Sequence, residues 1–233
     1  MLVSRQEYNN NMSRKYTYFI ALIGAVCVYF IIRLSFFTDF STRTVQSDVI
    51  QGLLIGFGLA VVMAELIKRI KGTKESGWLT MYGLGKPGNG MFLRAAHALS
   101  FPGPVVVPEE AMYWRTNSDG TGHALSGTNR YVMHFPAGQL PPNNAFWSLT
   151  MGDTKNKYVR NPLKRYSVSD RSGLVPNPDG SVDIYIQNAS PVGHESNWLP
   201  APTGNFILWL RAYLPGAAIL NRTYTVPPVV KII

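Results

Sequence analysis

Apolar and polar positions are arranged on two different scales along this chain. In the first seventy or so residues they come in long blocks. Tyr16 to Ile32 is an uncharged run of 17 residues, YTYFIALIGAVCVYFII, broken by Arg33 and continued by LSFFT. Val49 to Ala64 is a second run of 16, VIQGLLIGFGLAVVMA, closed by Glu65. Blocks of this length predict two transmembrane helices. Arg33 near an end lifts its head group to the interface, so the first span extends to about Thr38. The first run is longer than the apolar segment of a signal peptide and no A-x-A site follows it, so it reads as a retained anchor.

Beyond residue 77 the scale shortens to two. In RYVMHF, Tyr131, Met133 and Phe135 share one face. In SVDIYIQ, Val182, Ile184 and Ile186 alternate with Asp183, Tyr185 and Gln187. In NFILWLRAYL, Phe206, Leu208, Leu210 and Ala212 alternate with Ile207, Trp209, Arg211 and Tyr213. AFWSLTM and the segment around Ala111–Arg115 fit the same pattern. Turn signals separate these runs: Asp119-Gly120, Pro141-Pro142-Asn143-Asn144, Pro178-Asp179-Gly180 and Pro215-Gly216. All 16 prolines lie after residue 86, which leaves little room for long helices. One short helix is predicted at Met91–Ser100, with apolar residues at Met91, Ala95, Ala98 and Leu99. Period-two runs at this spacing predict an antiparallel sandwich or barrel. The domain plan is a tail over 1–15, a transmembrane hairpin over 16–76 and a β domain over 77–233.

Charge sharpens this plan. The 233 residues carry 22 Lys/Arg against 13 Asp/Glu, a net +9, yet charged residues are only 15% and mean hydropathy is +0.01. That average excludes a disordered chain and a polytopic transporter. Arg5, Arg14 and Lys15 precede the first run, and Lys68, Arg69, Lys71 and Lys74 follow the second. Arg43 alone offers a positive charge between them, with Asp39 and Asp48. The positive-inside rule then places both ends, and the β domain, in the cytoplasm. If the second run does not cross, the domain lies on the periplasmic side instead. Gly52 and Gly56 have GxxxG spacing, which lets another helix approach closely, either within the hairpin or from a partner. In the β domain the excess charge is local: Lys155, Lys157, Arg160, Lys164, Arg165 and Arg171 are opposed there only by Asp170.

Catalytic signatures are sparse. Cys27 is the lone cysteine, inside the first run, so no intrachain disulfide and no cysteine zinc site forms. The four histidines, His97, His123, His134 and His194, have no i+3 or i+4 partner among themselves. No G-x-S-x-G or H-E-x-x-H occurs, and no cofactor is expected. GLGKPG at Gly83–Gly88 mimics a dinucleotide fingerprint, but its internal proline and the missing βαβ unit make it a loop.

The order of strings AFWSLTMGD (145–153), NPLKRYSVSDR (161–171), DGSVDIYIQ (179–187), NWLPAP (197–202), LRAYLP (210–215) and VPP (226–228) resembles the DUF1214 family, with Asp119, Leu125-Ser126-Gly127 and Tyr131 upstream. The resemblance covers roughly Trp78 to Ile233 and implies a jelly-roll-like β-sandwich with no established activity. Family members often follow a DUF1254 region, which this chain lacks, and shorter relatives with a single anchor imply a periplasmic domain. Gly152 stands where the family motif usually has tyrosine.

The best candidate for a ligand site is the polar stretch Asp153–Arg171. Arg165, Asp170 and Arg171 suit a bidentate ion pair or an anionic ligand, and Tyr166 adds a ring. In NWLPAP, Asn197 suits backbone bonding and Trp198 suits the core or a pocket wall. The alternative for both segments is internal bracing. Lys155, Lys157, Arg160 and Lys164 suit a basic patch on a membrane surface, facing anionic lipid. Nucleic acid is not expected, because no binding motif accompanies the patch. Three readings follow: a membrane-anchored binding or structural module of the bacterial envelope, an enzyme or small-anion binder with a pocket around these two segments, and an accessory subunit of a membrane complex using the Gly52 and Gly56 face.

Overall fold

The computed structural model describes residues 45–101 and 103–232. Helix α1 runs over Val45–Lys71, α2 over Met91–Ser100 and α3 over Ala217–Leu220. The strands are β1 (Thr73–Glu75), β2 (Trp78–Thr80), β3 (Ala111–Thr116), β4 (Arg130–Phe135), β5 (Asn143–Asp153), β6 (Ser167–Ser169), β7 (Val182–Gln187), β8 (Trp198–Pro200), β9 (Phe206–Pro215) and β10 (Val229–Ile232). They form a six-stranded sheet, β1-β2-β3-β9-β5-β6, and a four-stranded sheet, β10-β4-β7-β8.

Alternation builds the core between the sheets. Tyr131, Met133 and Phe135 of β4 and Val182, Ile184 and Ile186 of β7 turn inward from one sheet. Trp114, Trp147, Leu149, Leu208 and Leu210 turn inward from the other. The expected β-sandwich is therefore present, with one departure from an all-antiparallel plan: β7 and β8 pair in parallel, Ile186 opposite Leu199. The link 188–197 ends in a 3-10 turn at Glu195–Asn197 and carries the chain back to the start of β7, so the next strand runs alongside it.

The six-stranded sheet is buried on both faces at its centre. Ala111 and Tyr113 of β3 and Ile207 and Trp209 of β9 point away from the sandwich core. There they meet Ala64 of α1 and Ala96 and Phe101 near α2. This second cluster explains why NFILWLRAYL is apolar on both alternating faces. Helix α2 forms from helix-favouring residues without a β-branched side chain and ends just before Pro102. Its orientation differs from the expectation. Met91, Ala95, Ala98 and Leu99 are exposed, while Ala96, His97 and Ser100 are buried. The hydroxyl of Ser100 donates to Ala96 O at 2.8 Å, and the His97 ring lies 5.0 Å from Phe101 and 5.5 Å from Tyr113. Leu93 packs against the edge of the same cluster.

Gly152 has a steric reason. A Cβ built there falls 2.1 Å from Cζ3 and 2.2 Å from Cη2 of Trp209. The bare backbone of β5 makes room for that indole, which fills the position above Gly152 on the outer sheet face. Gly127 shows a second close approach: a Cβ there overlaps the carbonyl oxygen of Pro202, so the Leu125-Ser126-Gly127 segment lies directly on the end of NWLPAP.

The expected transmembrane hairpin falls only in part within the described residues. The first run, Tyr16–Thr38, and the tail before it lie outside the described residues. Among the described residues no helix is long and apolar enough to cross a membrane. The second run, Val49–Ala64, sits inside α1. Glu65, Lys68 and Arg69 close it after 16 residues, about 24 Å of helix against a hydrocarbon core of about 30 Å. One of the chain's two units begins at Gly58, within α1, and runs to Ile233.

Candidate functional site

The two segments singled out from the sequence meet beside the open end of the four-stranded sheet. Asn197 is buried, and its side chain is fully committed. Its Oδ1 accepts from Val175 N at 2.8 Å, and its Nδ2 donates to Val175 O at 2.8 Å and Asp183 O at 2.9 Å. Trp198 Nε1 donates to Gln187 O at 2.8 Å. Arg165, half-buried, donates from Nη1 to Glu195 O at 2.6 Å and to Trp198 O at 3.1 Å. Arg165, Asn197 and Trp198 are thus brought together, and their bonds go to backbone carbonyls and one backbone N–H.

The other candidates stand apart from that cluster. Arg171 donates from Nη2 to Ala145 O at 2.9 Å, and its Cζ lies 4.6 Å from the centre of the Phe146 ring. Asp170 is exposed, with no ion pair among the described residues. Tyr166 lies 6.0 Å from Tyr158, ring centre to ring centre. The arginines find backbone oxygen in place of Asp170, because the turn at Ser169–Ser172 carries Asp170 outward.

Residues 154–166 leave the sheet as one excursion with a narrow neck. Gly152 bridges Tyr158, and Met151 N donates to Tyr166 O at 2.9 Å. Two tight turns form its tips. In the first, Asp153 Oδ1 accepts from Lys155 N at 2.8 Å and Lys157 N at 2.9 Å, with Asn156 at φ 61°. In the second, Asn161 Oδ1 accepts from Arg165 N at 3.1 Å, with Lys164 at φ 51°. Lys155, Lys157, Arg160 and Lys164 are all exposed. None of the four forms an ion pair among the described residues.

The histidines take separate roles. His134 Nδ1 meets Asp183 Oδ1 at 2.6 Å across β4 and β7. His194 stacks on Tyr185 at 4.5 Å. His123 N donates to Asp119 Oδ1 at 3.0 Å, and Thr121 adds two further bonds to the same oxygen. Burial works against the ionised Asp119 carboxyl, but these hydrogen bonds outweigh it and hold the group below its ordinary value. Among the described residues no group of three or more His, Cys, Asp or Glu is placed to hold a metal ion.

Sequence reasoning missed His97. It is 2% exposed and borders a small cavity of about 10 Å³ with Met81, Leu84, Phe101, Val106 and Tyr113. Its Nδ1 has no hydrogen-bond partner, and burial pulls its pKa down to about 4. The space suits a single water. The only sequence signal was that His97 shares a helix face with Arg94 and Ala96's neighbour Ser100 more closely than with the apolar stripe.

These features define a two-sheet β-sandwich with a braced strand-crossing loop and a protruding basic excursion. Residues 110–217, a little under half of the chain, match the family model described as "Protein of unknown function (DUF1214)". The match takes in the FWSLT, NPLKRY and NWLP segments that carried the resemblance. A crystal structure of the VPA0106 protein from Vibrio parahaemolyticus is similar at 29% identity, with a TM-score of 0.51, over 61% of this chain and 35% of that one. An uncharacterized protein from Burkholderia cenocepacia aligns at 20% identity with a TM-score of 0.34, over 54% of this chain and 30% of that one. This chain therefore spans about a third of each of those proteins. No curated protein matches it.

Proposed function

We propose that this protein is a binding or structural module of the bacterial envelope, a β-sandwich held at a membrane by its N-terminal apolar segments. The observation that carries this reading is the surface of α1. Leu53 and Phe57 are 69% and 72% exposed, and Leu59, Val61, Val62 and Met63 are exposed as well. At about 100° per residue these positions point to every side of the helix. An all-round apolar helix calls for hydrocarbon or a large apolar partner. The uncharged sequence Tyr16–Ile32 supports the same reading, since its length suits a span. Arg165, Asn197 and Trp198 then act as braces that hold the β7–β8 crossover, in keeping with bonds spent on backbone groups. An accessory role in a membrane complex is favoured by one feature: among the described residues nothing lies within 4 Å of a Cβ built at Gly52 or Gly56.

Fractionation of cells expressing the full chain tests the anchoring. The protein is expected in the membrane pellet after washes with high salt and with alkaline carbonate, and release by either wash refutes it. Reporter fusions at the C-terminus read the side. One crossing places the sandwich opposite the N-terminal tail, and two crossings return it to the same side.

A further inference from the structure

We infer that the excursion 154–166 is a lipid-contacting wedge that seats the sandwich on an anionic bilayer surface. This inference rests on the membrane reading above. Between Thr154 and Tyr166 there are five basic residues and no acidic one. Arg165 is spent on the Glu195 and Trp198 carbonyls, which leaves Lys155, Lys157, Arg160 and Lys164 exposed and without ion pairs among the described residues. The acid at the neck, Asp153, has its Oδ1 turned to backbone N–H groups of the first turn.

The same excursion exposes apolar groups. Tyr158 is 59% exposed and Leu163 is 57% exposed, and Leu163 sits at the tip of the second turn beside Lys164. Asn156 Nδ2 reaches Leu99 O at 3.5 Å, which joins the first turn to the exposed face of α2. Met91 and Leu99 on that face are uncovered too, with Arg94 between them. Cations interleaved with a tyrosine and aliphatic side chains match the interface of a bilayer. There ammonium and guanidinium groups meet lipid phosphates, and apolar tips enter the acyl boundary. The two tight turns fix the backbone beneath these side chains, so little ordering is needed on contact. Nucleic acid fits less well, since it offers no apolar phase for Leu163, Leu99 and Met91. Each near-surface cation is worth about fivefold in surface affinity, so four give roughly several hundred-fold.

The test uses the full-length protein with Cys27→Ser and Leu163→Cys, labelled at residue 163 with an environment-sensitive dye. It is reconstituted into vesicles of phosphatidylcholine alone or with about one third phosphatidylglycerol. The dye is expected to shift to the blue and to be quenched by spin-labelled lipid only in the anionic vesicles. Raising salt should reverse the shift, because the contact is screened. Reversal of Lys155, Lys157, Arg160 and Lys164 to Glu should abolish it without unfolding the sandwich, as all four side chains are solvent-facing. A dye that stays water-exposed in both vesicles while the protein floats with them overturns the wedge and leaves the anchoring reading standing. Failure to float with either vesicle overturns both. A shift that survives charge reversal, or one produced instead by adding short DNA, also overturns the wedge.

Discussion

Replacing Gly152 by alanine asks whether Trp209 is seated as tightly as the geometry says. Gly152 has no positive φ, so alanine meets no backbone strain there. In an open strand the change should help, because glycine costs about 0.5–1 kcal/mol relative to alanine. Here the new Cβ lies 2.1 and 2.2 Å from two indole carbons and 3.1 Å from Ile207 Cγ1. Carbon atoms rest about 3.5–4.0 Å apart, so the ring has to retreat by roughly 1.5 Å. Trp209 is 1% exposed and packs among Ile207, Tyr113 and the residues of α1 and α2, so it has nowhere to go without moving them. Such insertion costs about 1–3 kcal/mol. The expected net loss is about 1–2 kcal/mol, which lowers Tm by about 2–4 °C for each kcal/mol in a chain of this size. Urea unfolding of the full-length protein in mild detergent, followed by far-UV circular dichroism, reads the difference. In a Trp209→Val background the clash is gone, and Gly152→Ala should turn neutral or stabilising. If Gly152→Ala stabilises the wild-type chain, or destabilises it equally when Trp209 is gone, the indole is not what excludes a side chain at 152.

Three further outcomes follow from the site. Asn197→Ala leaves the part-buried Val175 N–H and the Val175 and Asp183 carbonyls without their partner, so it should cost about 1–3 kcal/mol in the same unfolding assay; a loss within experimental scatter refutes the bracing role. His97 has a folded pKa of about 4 against an ordinary 6.5, so the unfolded chain takes up the proton first and stability falls as pH drops through that window. The loss is on the order of 3 kcal/mol by pH 4 and should flatten in His97→Gln; an unfolding midpoint of that variant that tracks the wild type across the window sinks the assignment. Arg165→Ala should speed amide hydrogen exchange around Glu195–Trp198 while leaving global stability within about 1 kcal/mol, and unchanged local exchange speaks against it.

Much of the sandwich was legible in the chain because strand burial leaves a period of two. RYVMHF and SVDIYIQ showed their inward faces directly, since one side of each meets the core, and AFWSLTM showed a strand. Helix α2 was equally legible in extent. Its orientation was not, because Ala96, His97 and Ser100 sit in the buried groove while Met91 and Leu99 stay outside. Strands β1, β6 and β8 have three residues each, too few for a period to appear. The candidate site was half legible. The residues of NPLKRY and NWLP do meet, as the polar pattern anticipated, but their bonds go to carbonyls that no side-chain pattern reveals. The ion pair expected between Arg165 or Arg171 and Asp170 did not form, since a turn at Ser169–Ser172 decides where Asp170 points.

The β class, the turn positions, the local basic segment and the apolar blocks near the N-terminus can be read from the chain alone. These are properties of neighbours in the chain: periodicity, proline and glycine placement, and charge count. The parallel β7–β8 pairing, the two-sided burial of β9, the indole seated over Gly152 and the unpartnered Nδ1 of His97 belong to the tertiary structure. Each of those depends on which distant backbone lies within a few ångströms. Packing sets that distance, and no local pattern encodes it.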